Sequence, residues 1–137
     1  MKVYFFILFS LFLCACGQRS ETTTTFQVKT THSTNQSAPF YVVFKSTDLP
    51  HFLTDDYKKI AHQRMIAKDD PSCLESLLVV PGETKTIEIK NPQNKAIGVY
   101  CIFTHPGEEW KYIAQNSGNA KIKMLIVDNE IRNVNAF

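Results

Sequence analysis

Four cysteines (Cys14, Cys16, Cys73, Cys101) and four histidines (His32, His51, His62, His105) carry most of the reactive chemistry in this chain. His51 and His62 are too far apart in sequence to share one helix face, and no Cys-x-x-Cys or His-Glu-x-x-His spacing occurs. The spacings therefore match no zinc site. A cysteine nucleophile would need Cys73 or Cys101 free and activated beside a base. There is no Gly-rich phosphate loop and no Gly-x-Ser-x-Gly elbow. The inventory points away from catalysis and from a metal or other cofactor. Net charge is +2 with opposite charges interspersed, which gives no argument for nucleic acid as a partner.

The N-terminus accounts for two of the cysteines. Met1-Lys2 precedes an apolar run from Val3 to Leu13. That run is short of the roughly 20 residues a spanning helix needs, and its layout is that of a secretory leader. It ends Leu13-Cys14-Ala15-Cys16-Gly17, which matches a bacterial lipobox, with Leu at −3, small residues at −2 and −1, and then the modified Cys. Residues 1–15 are thus expected to be removed and Cys16 to carry acyl chains. One chain anchors marginally, at about 0.8 kcal/mol per buried methylene, whereas several hold firmly. Gly17 stands where Asp would retain the protein at the inner membrane in enterobacteria-like sorting, so the expected address is the periplasmic face of the outer membrane.

The mature chain of roughly 120 residues suits one domain with a real core. Cys73 and Cys101 form an even pair in an oxidising compartment, so a disulfide is the default expectation. It would close a loop of about 28 residues and stabilise by roughly 3–4 kcal/mol on chain-entropy grounds. Two buried free thiols, or a Cys nucleophile, are the alternatives.

Residues 17–25 are polar and aperiodic and read as a tether. Strand signals follow at Phe26–Thr30, at Phe40–Phe44 (apolar on both faces), at Ser76–Val80, at Thr84–Lys90, at Ala96–Thr104, at Trp110–Ala114, at Lys121–Val127 and at Ile131–Val134. Pro81-Gly82-Glu83, Asn91–Asn94, His105-Pro106-Gly107, Gln115–Ala120 and Asp128–Glu130 are turn signals. Between about residues 48 and 75 the period changes. Leu53, Tyr57, Ile60 and Ala61 form a helical stripe, with Thr54 as cap and Asp55 and Asp56 in the first turn. Asp70-Pro71 opens a further short helix or turn. Seven or eight short strands with one helical insertion predict a two-sheet antiparallel β-sandwich spanning residues 26–137. Val42, Phe44, Ile87, Ile89, Val99 and Phe103 are the core candidates, and Trp110 is read as a core residue before an interface one.

Order and spacing resemble the TssJ family, outer-membrane lipoproteins of type VI secretion systems. The resemblance runs through Phe26–Thr30, Asn35 to Pro39, Phe40–Phe44, Phe52–Tyr57, Pro81-Gly82-Glu83, Ile97–Phe103, Trp110 and Lys121–Arg132. Phe44-Lys45-Ser46 departs from the family's Tyr-Gln-Leu, and the first loop lacks its usual Gly. The resemblance implies a transthyretin-like β-sandwich without catalytic activity. It implies binding to the periplasmic C-terminal region of the inner-membrane protein TssM, largely through the loop between the first two strands. On this chain that loop comprises His32, Ser33, Thr34, Asn35, Gln36, Ser37 and Pro39. No small-molecule substrate is implied. A competing expectation is a ligand- or carbohydrate-binding lipoprotein, which would need an exposed aromatic platform such as Tyr41, Tyr100 and Tyr112.

Overall fold

The computed structural model describes residues 21–66, 70–91, 95–115 and 117–136. Its elements are β1 (Thr22–Thr30), β2 (Phe40–Thr47), α1 (Leu49–Thr54), α2 (Tyr57–Ile66), β3 (Cys73–Val79), β4 (Thr84–Asn91), β5 (Ala96–Ile102), β6 (Lys111–Ala114), β7 (Lys121–Val127) and β8 (Glu130–Ala136). They form two four-stranded sheets, ordered β4-β1-β7-β8 and β3-β2-β5-β6. Neighbouring strands run antiparallel except β1 and β7. The expected mainly-β sandwich of two sheets is what the chain builds.

Alternation decides which residues face inward. On β1 Phe26 and Val28 are fully buried, opposite Ile122 and Met124 of β7. From the second sheet Phe40, Val42 and Phe44 of β2 meet them, with Val99 and Cys101 of β5 beside these. Phe26 and Phe44 touch across the sandwich at 5.0 Å between ring centres, and Phe40 meets Phe103 at 4.9 Å. The outer face of the first sheet is wet and carries Lys29, Glu88, Lys90, Lys121 and Lys123.

The second sheet is buried on both faces, which is why β2 reads as a continuous apolar run. Val43 and Tyr100 point away from the sandwich and lie under the helices. Phe52 stacks obliquely on Tyr100 at 5.9 Å, and Trp110 sits edge-on to Tyr57 at 5.1 Å. The Tyr57 hydroxyl donates to the Phe103 carbonyl. Trp110 is 9% exposed and belongs to this second layer of core.

The helical insertion differs in detail from the periodic reading. One stripe capped by Thr54 becomes two short helices. Asp48 caps α1 by accepting from the His51 N–H at 3.0 Å, and Pro50 stands in the first turn. The chain breaks at Asp55 and Asp56, and Asp56 then accepts from the Lys58 N–H at 2.8 Å at the start of α2. Phe52 goes inward, while Leu53 is 65% exposed. Asp70-Pro71 opens a turn, with the Asp70 carboxylate accepting from the Ser72 N–H and hydroxyl, and β3 follows at once. Thr22–Thr25, expected in the tether, are paired within β1.

The expected Cys73–Cys101 disulfide is absent; both are free thiols. Register gives the reason. Cys73 lies opposite Lys45 and Cys101 opposite Val42, on either side of β2. Two strand spacings of about 4.8 Å and three residues of about 3.3 Å put them roughly 14 Å apart, against a limit near 7 Å for a disulfide. They also project to opposite faces of the sheet. Burial pushes the Cys73 thiol pKa up, and that of Cys101 far further, so neither is an activated nucleophile.

Candidate partner-binding loop

Thr31–Pro39 joins β1 to β2 across one end of the sandwich. It is not a pliant connection. Thr34–Ser37 form a tight 3-10 turn in which Asn35, Gln36 and Ser37 have φ of 51°, 56° and 63°. Three successive non-glycine residues in the left-handed region cost roughly 1–2 kcal/mol each. Such a shape persists only where its surroundings over-determine it.

They do so here through Asn35 and Thr34, which are 2% and 0% exposed. The Asn35 side chain donates to the carbonyls of Ala38 at 3.0 Å and Pro39 at 3.3 Å, and accepts from the Thr104 N–H at 2.8 Å. Its backbone N–H donates to the Asp128 carbonyl at 2.7 Å. The Thr34 hydroxyl is within 3.1 Å of the Ile126 carbonyl and accepts from the Thr31 N–H. The Ser37 hydroxyl closes the loop on the His32 carbonyl at 2.8 Å, and the Ser33 hydroxyl reaches the Asp128 carboxylate at 3.2 Å.

The anticipated set of seven therefore divides. His32, Ser33, Gln36, Ser37 and Pro39 are exposed and available to a partner, whereas Thr34 and Asn35 face inward and hold the shape. The buried pair acts as positioning residues. Sequence reasoning missed their counterparts: Thr104, expected as the end of a strand that stops at Ile102, and Asp128, in a turn whose long-range partner the sequence does not reveal.

Neighbouring turns buttress the same end. Val80–Glu83 form a turn with Gly82 at φ 88° and the Glu83 N–H donating to the Val80 carbonyl. Glycine suits the positive φ at Gly82, and a Cβ there would stand 2.4 Å from the exposed His32 ring, which would have to swing aside. The β5–β6 connection ties to the β7–β8 turn through Gly107 N–H to Asn129 O and Ile131 N–H to Glu109 O.

The other candidates do not converge. Tyr100 is fully buried, Arg64 lies over the Tyr41 ring at 3.3 Å, and Tyr112 pairs with Val99 toward the sandwich interior. The three tyrosines thus form no exposed platform. Among the described residues no group of three or more His, Cys, Asp or Glu is placed to hold a metal ion, and no helix is long and apolar enough to cross a membrane. Cys16 and the leader lie outside the described residues.

Comparison with known proteins gives the family. No curated protein matches the sequence significantly. Among solved structures the fold is similar to the type VI secretion lipoprotein TssJ1 of Pseudomonas aeruginosa, at TM-score 0.65 and 15% identity, covering 86% of this chain and 98% of that one. A chain of a type VI membrane complex matches at TM-score 0.66 and 15% identity, covering 82% and 98%. A chain in a structure of the TssM C-terminal domain from EAEC matches at 0.57 and 15%, covering 80% and 98%. At such identity these likenesses establish the fold, which is the TssJ-like sandwich that the resemblance implied. The sequence itself matches the family described as "IglE, N-terminal domain" over residues 41–126, and the chain therefore belongs to that family of type VI secretion lipoproteins.

Proposed function

We propose that this protein is a non-catalytic lipoprotein, held by acyl chains on Cys16 at the periplasmic face of the outer membrane. It binds the periplasmic region of a TssM-like inner-membrane protein and so helps to build the trans-envelope base of a type VI secretion system. In this reading residues 1–15 are the leader, and the stretch from Cys16 to the start of β1 is the tether. The observation that carries the reading is the rigid, exposed loop at the end of the sandwich remote from Thr22, where β1 begins. A preorganised loop loses little conformational entropy on binding. It faces away from the anchor, because β1 starts at the anchored end and finishes at Thr30, beside the loop. Membership of a type VI lipoprotein family and the lipobox support the same assignment.

Co-purification from solubilised envelopes tests it. Wild type should retain the TssM-like protein. A variant with His32→Ala, Gln36→Ala and Ser37→Ala, folded as judged by its melting curve, should lose most of it. Undiminished capture would remove the loop from the interface, and acyl-free Cys16 in mature envelope protein would remove the anchor.

A further inference from the structure

Four strands end the two sheets, and three of them are guarded against a further neighbour. β4 carries Lys85, Glu88 and Lys90, β8 carries Glu130 and Arg132, and β6 is four residues long with Lys111 bonded to the end of α1. β3 is the exception. It runs for seven residues, Cys73-Leu74-Glu75-Ser76-Leu77-Leu78-Val79, with one charged side chain and neither proline nor lysine. Leu78 and Val80, at its far end, are 44% and 41% exposed, two of the four large exposed apolar side chains among the described residues.

Antiparallel strands alternate the direction of their hydrogen bonds. Leu77 and Val79 face Val42 and Phe40 of β2, whereas the Leu78 carbonyl is met from the β4 side, by the Lys85 ammonium at 3.0 Å. Ser76 and Leu78 therefore turn their main-chain groups outward. The Ser76 N–H is met by the carboxylate of its own neighbour, Glu75, at 3.2 Å. Among the described residues nothing bonds to the Ser76 carbonyl or the Leu78 N–H. Two charged side chains thus stand where the N–H and the carbonyl of a further strand would stand, and both reach solvent.

The exposed stretch of this edge adjoins the loop. Val79 lies opposite Phe40, which follows Pro39, and the turn after Val80 brings Gly82 against the His32 ring. From this arrangement we infer that β3 is a strand acceptor: an extended segment of the protein that the loop binds adds to its free edge, takes main-chain hydrogen bonds at Ser76 and Leu78, and seats apolar side chains on Leu78 and Val80. The inference rests on the proposed function for the identity of that protein, and continuity with the loop selects this occupant. A second copy does not fit. Antiparallel pairing of two β3 strands about a twofold axis turns one body end over end, whereas acyl chains on both copies hold their Thr22 ends at one membrane. Nor does the chain's own tether fit, because Gly17-Gln18-Arg19-Ser20-Glu21 has no apolar side chain for Leu78 and Val80.

Hydrogen exchange read at single amides tests it, on the lipoprotein alone and on the complex co-purified from solubilised envelopes. In the free lipoprotein the Leu77 and Val79 amides, bonded to β2, should exchange slowly and the Leu78 amide fast. In the complex the Leu78 amide should slow to the rate of its neighbours. Leu78→Pro deletes that one donor, which no strand of this chain uses, and should weaken capture about tenfold, the worth of one well-made hydrogen bond. Leu78→Lys keeps the donor but places a guarding charge on the edge, and it should weaken capture as well. Melting curves establish folding; should the proline variant not fold, the lysine variant and the exchange pattern carry the test. A complex in which the Leu78 amide still exchanges fast would overturn the inference and leave the proposed function standing, as would full capture by both folded variants. Slow Leu78 exchange in the lipoprotein alone, with a dimer in sedimentation, would assign the edge to a second copy and overturn it too. A complex that never forms overturns both readings.

Discussion

Replacing Asn35 with alanine should destabilise the whole domain, although the residue sits in a surface loop. Its side chain makes three hydrogen bonds: from Thr104 N–H at 2.8 Å, to Ala38 O at 3.0 Å and to Pro39 O at 3.3 Å. At about 1 kcal/mol net for each well-formed bond, their loss costs about 2–3 kcal/mol. Alanine also tolerates φ of 51° less well than asparagine, which adds about 1 kcal/mol. For a domain of this size 1 kcal/mol moves Tm by roughly 4 °C, so the variant should melt about 12–16 °C lower. The assay is far-UV circular dichroism alongside fluorescence of Trp110, the only tryptophan in the chain. Gln36 is the control. It shares the left-handed backbone, and among the described residues its side chain makes no hydrogen bond. Gln36→Ala should leave Tm nearly unchanged and weaken partner capture, while Gln36→Gly should raise stability by up to about 1 kcal/mol. A drop below about 4 °C for Asn35→Ala would refute the claim that this side chain holds the loop.

Three further outcomes follow from the same structure. A thiol reagent should titrate Cys73 in the native mature protein and Cys101 only after denaturation, and reductant should leave Tm unchanged; a mass two daltons below that of the reduced chain would contradict both. Burial alone would raise the Asp70 pKa, but hydrogen bonds from Ser72 and the Lys45 ammonium outweigh it and hold it below the ordinary carboxylate value. A depressed carboxyl pKa contributes stability that is present above its unfolded value and lost as pH falls through the folded one. Wild type should thus lose stability below about pH 4, with a shallower loss in Asp70→Asn; identical pH profiles would count against the pairing. Lys111 donates to the carbonyls of Phe52 at 2.6 Å and Asp55 at 2.7 Å, closing the C-terminal end of α1. Lys111→Met should cost about 1.5–3 kcal/mol and red-shift Trp110 fluorescence, and an unchanged spectrum would show that α1 is held without it.

The strands were legible because their signal is local. Thr84–Lys90 alternates, and the apolar run in β2 announces a strand covered on both faces. The apolar pattern starts β1 four residues late because its inward positions before Phe26 are Thr22 and the fully buried Thr24, whose hydroxyl is satisfied by the Ser117 carbonyl, and apolar periodicity has nothing to register there. The helical stretch carried a plausible stripe through Leu53, yet the Asp48 cap with Pro50 sets the phase of α1 so that Phe52 turns inward instead. Cysteine arithmetic knows parity and compartment but not register, and β2 separates the two thiols. In the loop no glycine advertises the positive φ values, and the partners that enforce them, Thr104 and Asp128, are distant in sequence. Sequence could therefore locate the loop without separating the exposed His32, Ser33, Gln36, Ser37 and Pro39 from the buried Thr34 and Asn35.

In the proposed assembly the exposed turn at Gln36 touches an inner-membrane secretion protein while the opposite end stays at the membrane. Photo-crosslinking in intact cells tests it most directly, with a photoreactive residue in place of Gln36 in one strain and of Lys90 in another. An adduct is expected between position 36 and the periplasmic region of the TssM-like protein, and none with that protein from position 90. An adduct from position 90 alone, in cells where both variants are folded and membrane-bound, would contradict it.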